Sequence, residues 1–249
     1  MTRLRYRSDS RSHVGCVRTV NEDSLLARDD AALWVVADGM GGHDNGQWAS
    51  QTLIAHFATL DLAIATESRG PAMLQALENG NFAIFQEGQA NGKQMGTTAV
   101  MCHLDADRLL CLWVGDSRAY RSRRGVLEQL TRDHTVVQEL VDRGSLAPED
   151  VETHPMSHVL SHAVGVEATL NFDGFSDQAL PGDHYLLCSD GLTKVVTHAE
   201  IEALLAIPNI ASAADRMIAL ALDRGSPDNV SLVIISVDEA TAITPMSAL

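Results

Sequence analysis

Leu33-Trp34-Val35-Val36-Ala37-Asp38-Gly39 is an apolar run closed by an Asp-Gly pair, and three other stretches of the chain share its plan. Asp116 lies just beyond Leu109-Leu110-Cys111-Leu112-Trp113-Val114, Asp190 just beyond Tyr185-Leu186-Leu187-Cys188, and Asp228 just before Val230-Ser231-Leu232-Val233-Ile234-Ile235. Short apolar runs bounded by Gly, Asp and Asn read as buried strands. Three of the aspartates then stand at strand exits and one at a strand entrance. In an antiparallel sheet such ends share one rim, so the four carboxylates can converge. Converging carboxylates repel unless a positive charge lies between them. A pair of hard, oxygen-seeking cations such as Mg²⁺ or Mn²⁺ is the economical candidate.

Further strands are expected near residues 14–17, 24–27, 97–104, 109–114, 119–121, 126–130, 170–175, 184–188 and 230–237. A helix should begin near Gly46 and pass Phe57, with Trp48, Leu53, Phe57 and Leu60 on one face at helical spacing. A second helix is expected over about 72–90, weakened by Asn79-Gly80, and a mostly helical stretch over about 135–163, broken by Pro148 and Pro155. Two more helices, about 198–206 and 211–224, precede the last strand. Strands outnumber helices, and the helices come in sequential pairs rather than as alternating crossovers. That pattern favours an antiparallel sheet system with helices on its outer faces over a doubly wound parallel sheet.

The bulk composition narrows the function. With 249 residues, 45% hydrophobic and 20% charged, and no linker-like stretch, the chain reads as one domain over 1–240 with a short tail at 241–249. A formal net charge of -15 argues against nucleic acid or an anionic membrane as the main partner. Cys16, Cys102, Cys111 and Cys188 show no C-x-x-C spacing and read as reduced core residues. The basic N-terminus lacks the apolar core of a signal peptide, and no stretch approaches the ~18 apolar residues of a membrane span. A cytoplasmic, monomeric protein is the expectation.

Asp38-Gly39-Met40-Gly41-Gly42-His43 is the sharpest motif. A strand-ending carboxylate can offer oxygens to two metals, and the glycine lets the backbone bend and leaves its carbonyl open as a ligand. An ordinary Gly-rich turn is the plain alternative. Asp190-Gly191 repeats the arrangement, Asp228-Asn229 opens a strand, and Asp116 sits in a tight turn. Arg18-Thr19-Val20-Asn21-Glu22-Asp23 joins a guanidinium, able to grip phosphate bidentately, to acids that could orient water; taken alone, a solvated charged loop is the favoured reading. His154, His158 and His162 have helical spacing, but Pro155 and the lack of an accompanying Glu favour a mobile polar segment over a metal-binding face.

Together these segments resemble the metal-dependent protein phosphatases, the type 2C serine/threonine phosphatases, in their bacterial form. The matching stretches are Arg18–Asp23, Val35–His43, Gly96-Thr97-Thr98, Val114–Tyr120, Thr131-Arg132-Asp133-His134, His154-Pro155, Leu187–Leu192 and Pro227–Val230, in the family's order and across about residues 12–237. The resemblance implies an α+β fold: a central sandwich of two antiparallel sheets flanked by pairs of helices, four layers α-β-β-α, with a flap near 135–165. It assigns Asp38 as the bridge between two Mn²⁺ or Mg²⁺ ions, the Gly39 carbonyl to the second ion, and Asp190 and Asp228 to the first. Asp116, with Asp190, would serve a third, weaker ion. Arg18 would hold the substrate phosphate, with Glu22 and Asp23 near the metal-bound waters.

The implied reaction is hydrolysis of phosphoserine and phosphothreonine in protein substrates by metal-activated water, reversing a bacterial Ser/Thr kinase. Two departures stand out. Met40 occupies the place where eukaryotic relatives carry a histidine proposed as general acid, which leaves His43 or a metal-bound water for that role. In the flap, Ser157-His158 and His162 stand where many bacterial relatives place basic residues. The chain is similar in extent to stand-alone phosphatases paired with kinases in secretion-system control. A catalytically inactive binding module of the same fold and a hydrolase of small phosphoesters are the alternatives.

Overall fold

Alternating burial, one side chain up and the next down, builds the centre of the molecule. The computed structural model describes residues 4–42, 44–151 and 153–240. Its strands are β1 (Leu4–His13), β2 (Asp23–Arg28), β3 (Leu33–Met40), β4 (Gly96–Thr97), β5 (Ala99–Asp105), β6 (Arg108–Val114), β7 (Arg118–Arg123), β8 (Val126–Gln129), β9 (Asp173–Gln178), β10 (His184–Cys188) and β11 (Val230–Glu239). Its helices are α1 (Asp44–Ala58), α2 (Thr66–Asn91), α3 (Val136–Asp142), α4 (Asp190–Thr193), α5 (His198–Leu205) and α6 (Ile210–Asp223). None of these helices is long and apolar enough to cross a membrane.

One antiparallel sheet runs β1-β11-β10-β7-β8 and the other β2-β3-β5-β6-β9, with β4 paired to the end of β3. On β3, Leu33, Val35 and Ala37 face α1 and α2 and pack with Leu53, Phe57 and Leu77. Trp34 and Val36 face the opposite way and meet Tyr185, Leu187, Val233 and Ile235 of the second sheet. On β11, Leu232 and Ile234 turn outward onto Ile201, Leu205, Ala214 and Met217 of α5 and α6. Three apolar layers therefore alternate with four layers of secondary structure, the α-β-β-α sandwich expected.

Several boundaries differ from the sequence reading. The first strand is Leu4–His13, not 14–17. Its Arg and Ser residues hide a strand pattern because it is an edge strand, hydrogen-bonded on one side to β11. Among the described residues, the stretch 135–163 keeps only α3 and a single 3₁₀ turn at Pro148–Asp150 as helix. Trp48 of α1 is exposed, and Ala49 joins Leu53 and Phe57 on the buried face instead. Cys102, Cys111 and Cys188 are buried free thiols, whereas Cys16 is exposed. The proposed tail at 241–249 and His43 lie outside the described residues.

Candidate active site

Asp38 is the third residue from the end of β3, and its register partner across β2 is Asp23. Like charges directly opposed on a sheet repel, so the backbone must be held firmly. The Asp38 N–H donates to Thr98 Oγ1 at 2.9 Å, while its carbonyl accepts from the Thr98 N–H at 2.8 Å and from Thr97 Oγ1 at 2.9 Å. Thr98 Oγ1 in turn lies 2.6 Å from Ser117 Oγ, in the turn that carries Asp116. Gly96-Thr97-Thr98 thus ties two of the four acidic positions together. It also prolongs β3 to Met40 through β4, so Asp38 lies inside the strand rather than at its exit.

The glycines after Asp38 and Asp190 have a tighter reason than a turn. A Cβ on Gly39 would sit 2.1 Å from the Gly46 carbonyl oxygen, and one on Gly191 would sit 1.9 Å from the Asn229 carbonyl oxygen. Both residues are places where one backbone presses against another.

The other two aspartates border the second sheet. Asp190 opens α4 directly after β10, and Asp228 stands just before β11, the neighbour of β10. Asn229 stitches the N-terminal loop to this rim. Its side-chain NH₂ donates to the carbonyls of Val14 at 2.8 Å and Val20 at 3.0 Å, and its Oδ1 accepts from the Glu22 N–H at 2.8 Å. That loop delivers Arg18, whose Nε and Nη2 reach the two oxygens of Asp228 at 3.0 and 3.2 Å. Ser189 Oγ donates to Asp23 Oδ2 at 2.8 Å.

Sequence reasoning missed Lys194. Its Nζ lies 2.6 Å from Asp190 Oδ2 and 3.1 Å from Asp228 Oδ2. The available signal was its i,i+4 spacing from Asp190 at a helix start. Thr98, Ser189 and Asn229 were also missed as individual supports, and only the fold reveals their partners.

A cavity of about 610 Å³ opens on this rim, lined by Arg18, Glu22, Asp38, Gly39, Asp116, Asp190, Lys194 and Asp228 among others. Asp23 is buried behind it. Met40 lies in the wall, and His158 and His162 close the flap side, while His154 does not reach it. A second hollow of about 510 Å³ adjoins it and shares Ser161 and His162, but it holds none of the four aspartates.

The electrostatics follow from crowding. Burial, reinforced by the charges of Asp23, Asp190, Asp116 and Asp228, holds the Asp38 carboxyl well above its ordinary range. Burial also lifts Asp116 and Asp23 to about 7, in the case of Asp23 against hydrogen bonds from Ser231 and Ser189. Asp228 goes the other way: burial works to raise it, but Arg18 and Lys194 outweigh that and leave it below its ordinary value. Burial pulls Lys194 downward, yet Asp190 and Asp228 overcome the penalty and keep it firmly protonated.

The donors of this rim are oxygens throughout, the set that suits a hard divalent cation. Asp190 Oδ1 and Asp23 Oδ1 are buried without a hydrogen-bond partner, a costly condition that an arriving cation would relieve. Among the described residues no three His, Cys, Asp or Glu side chains are placed to hold an ion as they stand. Lys194 and Arg18 occupy the carboxylates that would need to turn.

The model of the protein phosphatase 2C family matches residues 1–140. This chain belongs to that family. The phosphatase 2C domain seen here is 42% identical over 242 residues to the serine/threonine protein phosphatase PstP of Mycobacterium tuberculosis, covering 94% of this chain and 45% of PstP. It therefore spans about half the length of that relative. The PstP catalytic domain in complex with two manganese ions superposes with a TM-score of 0.86 at 39% identity, covering 95% of this chain and 100% of that one. The serine/threonine phosphatase Stp of Listeria monocytogenes is 32% identical, with 93% of this chain and 96% of Stp covered. PppA of Pseudomonas aeruginosa, a key regulatory component of its T6SS, superposes with a TM-score of 0.89 at 38% identity, covering 95% of this chain and 100% of that one.

Proposed function

We propose that this phosphatase 2C is a Mn²⁺- or Mg²⁺-dependent protein phosphatase that hydrolyses phosphoserine and phosphothreonine in proteins, opposing a Ser/Thr kinase. The observation that carries the reading is the single cavity in which Asp38, Asp116, Asp190, Asp228 and Arg18 meet. The manganese-bound PstP relative supports the metal, and the names of PstP and Stp support the substrate class. The likeness to PppA supports a place in secretion-system control. The reading takes the phosphatase to act as a cytoplasmic monomer.

Asp38, the Gly39 carbonyl, Asp190 and Asp228 would hold two ions, and Asp116 with Asp190 a third, weaker one. Bound there, the ions lower the pKa of water and neutralise phosphoryl oxygens. The chain's own residues do the rest. Arg18, half-exposed on the cavity wall, turns its planar fork from Asp228 to the phosphate and offsets charge on the equatorial oxygens. The Thr97 and Thr98 bonds fix the Asp38 backbone, and hence the direction of its oxygens. Glu22, in the cavity lining, and Asp23, buried behind it, would orient water. Met40, a side chain with no proton to give, stands in the wall, so protonation of the leaving alkoxide falls to His43 or to water.

The test is hydrolysis of a phosphothreonine peptide with Mn²⁺, compared by kcat/KM with a small phosphate ester. Asp38→Asn should lose roughly 10²-fold or more in kcat, the scale of one lost electrostatic stabiliser. Wild-type activity in excess chelator, or an unimpaired Asp38→Asn protein, would falsify the proposal. A preference for the small ester would replace the protein substrate with a metabolite.

A further inference from the structure

The acidic rim already contains a cation of its own, and it is one of only two lysines in the 249-residue sequence, Lys93 being the other. Lys194 caps the C-terminal end of the short helix α4 that Asp190 begins, so one turn of backbone ties the ammonium to the carboxylate it meets. From there Nζ also reaches Asp228, which borders the neighbouring strand β11. Arg18 takes the other edge of Asp228, so that carboxylate is held from two sides. Without the ammonium, Asp190 would lose its ion-pair partner and Asp228 would keep only Arg18.

We propose that Lys194 is the internal counter-ion of this centre: it joins Asp190 to Asp228 in the metal-free protein, gives way when a divalent cation binds, and thereby sets the metal affinity. The inference rests on the metal-centre reading above and deepens it. Nζ holds Asp190 Oδ2 and Asp228 Oδ2, and Arg18 takes the remaining edge of Asp228, so a metal that draws on either Oδ2 must displace the ammonium. Linkage then fixes the sign. Whatever Lys194 contributes to holding the metal-free cage together is subtracted from the apparent affinity for the metal.

The choice of lysine suits the role. Its charge is compact and sits on a flexible four-carbon stem, with no fixed fork to satisfy, whereas arginine binds carboxylate bidentately and releases it less readily. Lys194 also lines the cavity, so the displaced ammonium has an open path into it. The competition lets the acidic centre persist in metal-poor conditions without the repulsion that five neighbouring acids would otherwise exert.

The experiment measures Mn²⁺ binding by calorimetry for the wild type, Lys194→Met and Lys194→Gln, together with the melting temperature of each in chelator. In parallel, amine labelling of the wild type is read by mass spectrometry with and without Mn²⁺, exposed Lys93 serving as the internal reference. Both variants should bind Mn²⁺ about tenfold more tightly or better and melt lower when metal-free. Labelling at Lys194 should rise on Mn²⁺ addition relative to Lys93. If the wild type binds Mn²⁺ and both variants bind it equally or more weakly, or if labelling of Lys194 is unmoved, the counter-ion role is wrong while the metal centre stands. If none of the three proteins binds Mn²⁺, the metal-centre reading fails and takes this role with it.

Discussion

His103 shows how one buried side chain can set the acid sensitivity of the fold far from any chemistry. It lies on β5 between Leu33 and Leu110 in register, with Nδ1 at 3.0 Å from the Ala32 carbonyl. A carbonyl can only accept, so Nδ1 carries the proton and Nε2 is bare. Nε2 is also buried with no hydrogen-bond partner. Burial therefore pushes the His103 pKa below its ordinary 6.5, because the charged ring would own an N–H with nowhere to donate. The folded pKa is lower than the unfolded one, so below about pH 6.5 the unfolded chain binds more protons and stability falls as pH drops. The slope from one such group approaches about 1.4 kcal/mol per pH unit between its two pKa values. His103→Asn keeps a donor for the Ala32 carbonyl and cannot titrate. Denaturant midpoints between pH 7.5 and 5 should thus fall less steeply in the variant, whatever its baseline; parallel curves would refute the assignment. His134 and His184, also lowered mainly by burial, leave a residual slope in both proteins.

In helix α2, packing overrides local propensity. The sequence reads Asn79-Gly80 as an interruption, yet the helix is continuous from Thr66 to Asn91. Asn79 is exposed and accepts from Gln75 Nε2 at 3.1 Å, while Gly80 and the following Asn81 belong to packing, not to a break. A Cβ on Gly80 would lie 2.7 Å from Leu53 Cδ1, where α1 crosses, and Asn81 reaches out to accept the Gly165 N–H at 2.6 Å. Gly70, on the same helix, would meet only Leu110 Cδ2, at an ordinary 3.7 Å. Gly70→Ala should be near neutral, because the gain of about 0.5–1 kcal/mol through the unfolded chain is opposed by Pro71, which disfavours helical geometry for a side-chain-bearing residue before it. Gly80→Ala should destabilise it by about 1–3 kcal/mol despite its better helix propensity. Urea unfolding of the two variants separates packing from propensity, and a stabilised Gly80→Ala protein would reverse the interpretation. The same distinction explains what could be read in the sequence. Strands β3, β5, β6, β10 and β11 were legible because two-sided burial leaves continuous apolar runs. Edge strand β1 was not, since its side chains pair off locally, as Arg7 does with Asp238 and Ser8 with Asp29. The stretch after Thr135 has helical spacing, but its prolines and Gly144 break it after α3. The four aspartates announced themselves by bordering apolar runs, whereas Lys194 looked like any surface lysine until the fold brought Asp228 to it.

At the scale of the whole molecule, the acidic rim is where the two sheets meet. Asp38 and Asp23 come from β3 and β2 of one sheet, while Asp190 and Asp228 border β10 and β11 of the other. Asp116 occupies the turn by which the chain passes from β6 in the first sheet to β7 in the second. Cations bound among these groups would brace one sheet against the other, besides serving catalysis. Both sheets unfold with the sandwich core between them, so a ligand confined to the native rim raises the stability of the whole. At free Mn²⁺ of a hundred times Kd the gain is about 2.7 kcal/mol. For a chain of this size that is a rise in Tm of about 5–10 °C. Asp38→Asn should lose most of the increment, because it takes a carboxylate from the middle of the bridge. Asp142→Asn, whose partner Arg132 lies across the neighbouring hollow, should retain it. Thermal unfolding of the three proteins with chelator and with Mn²⁺ decides the matter: an equal rise in all of them would mean that the ion stabilises from somewhere other than the rim.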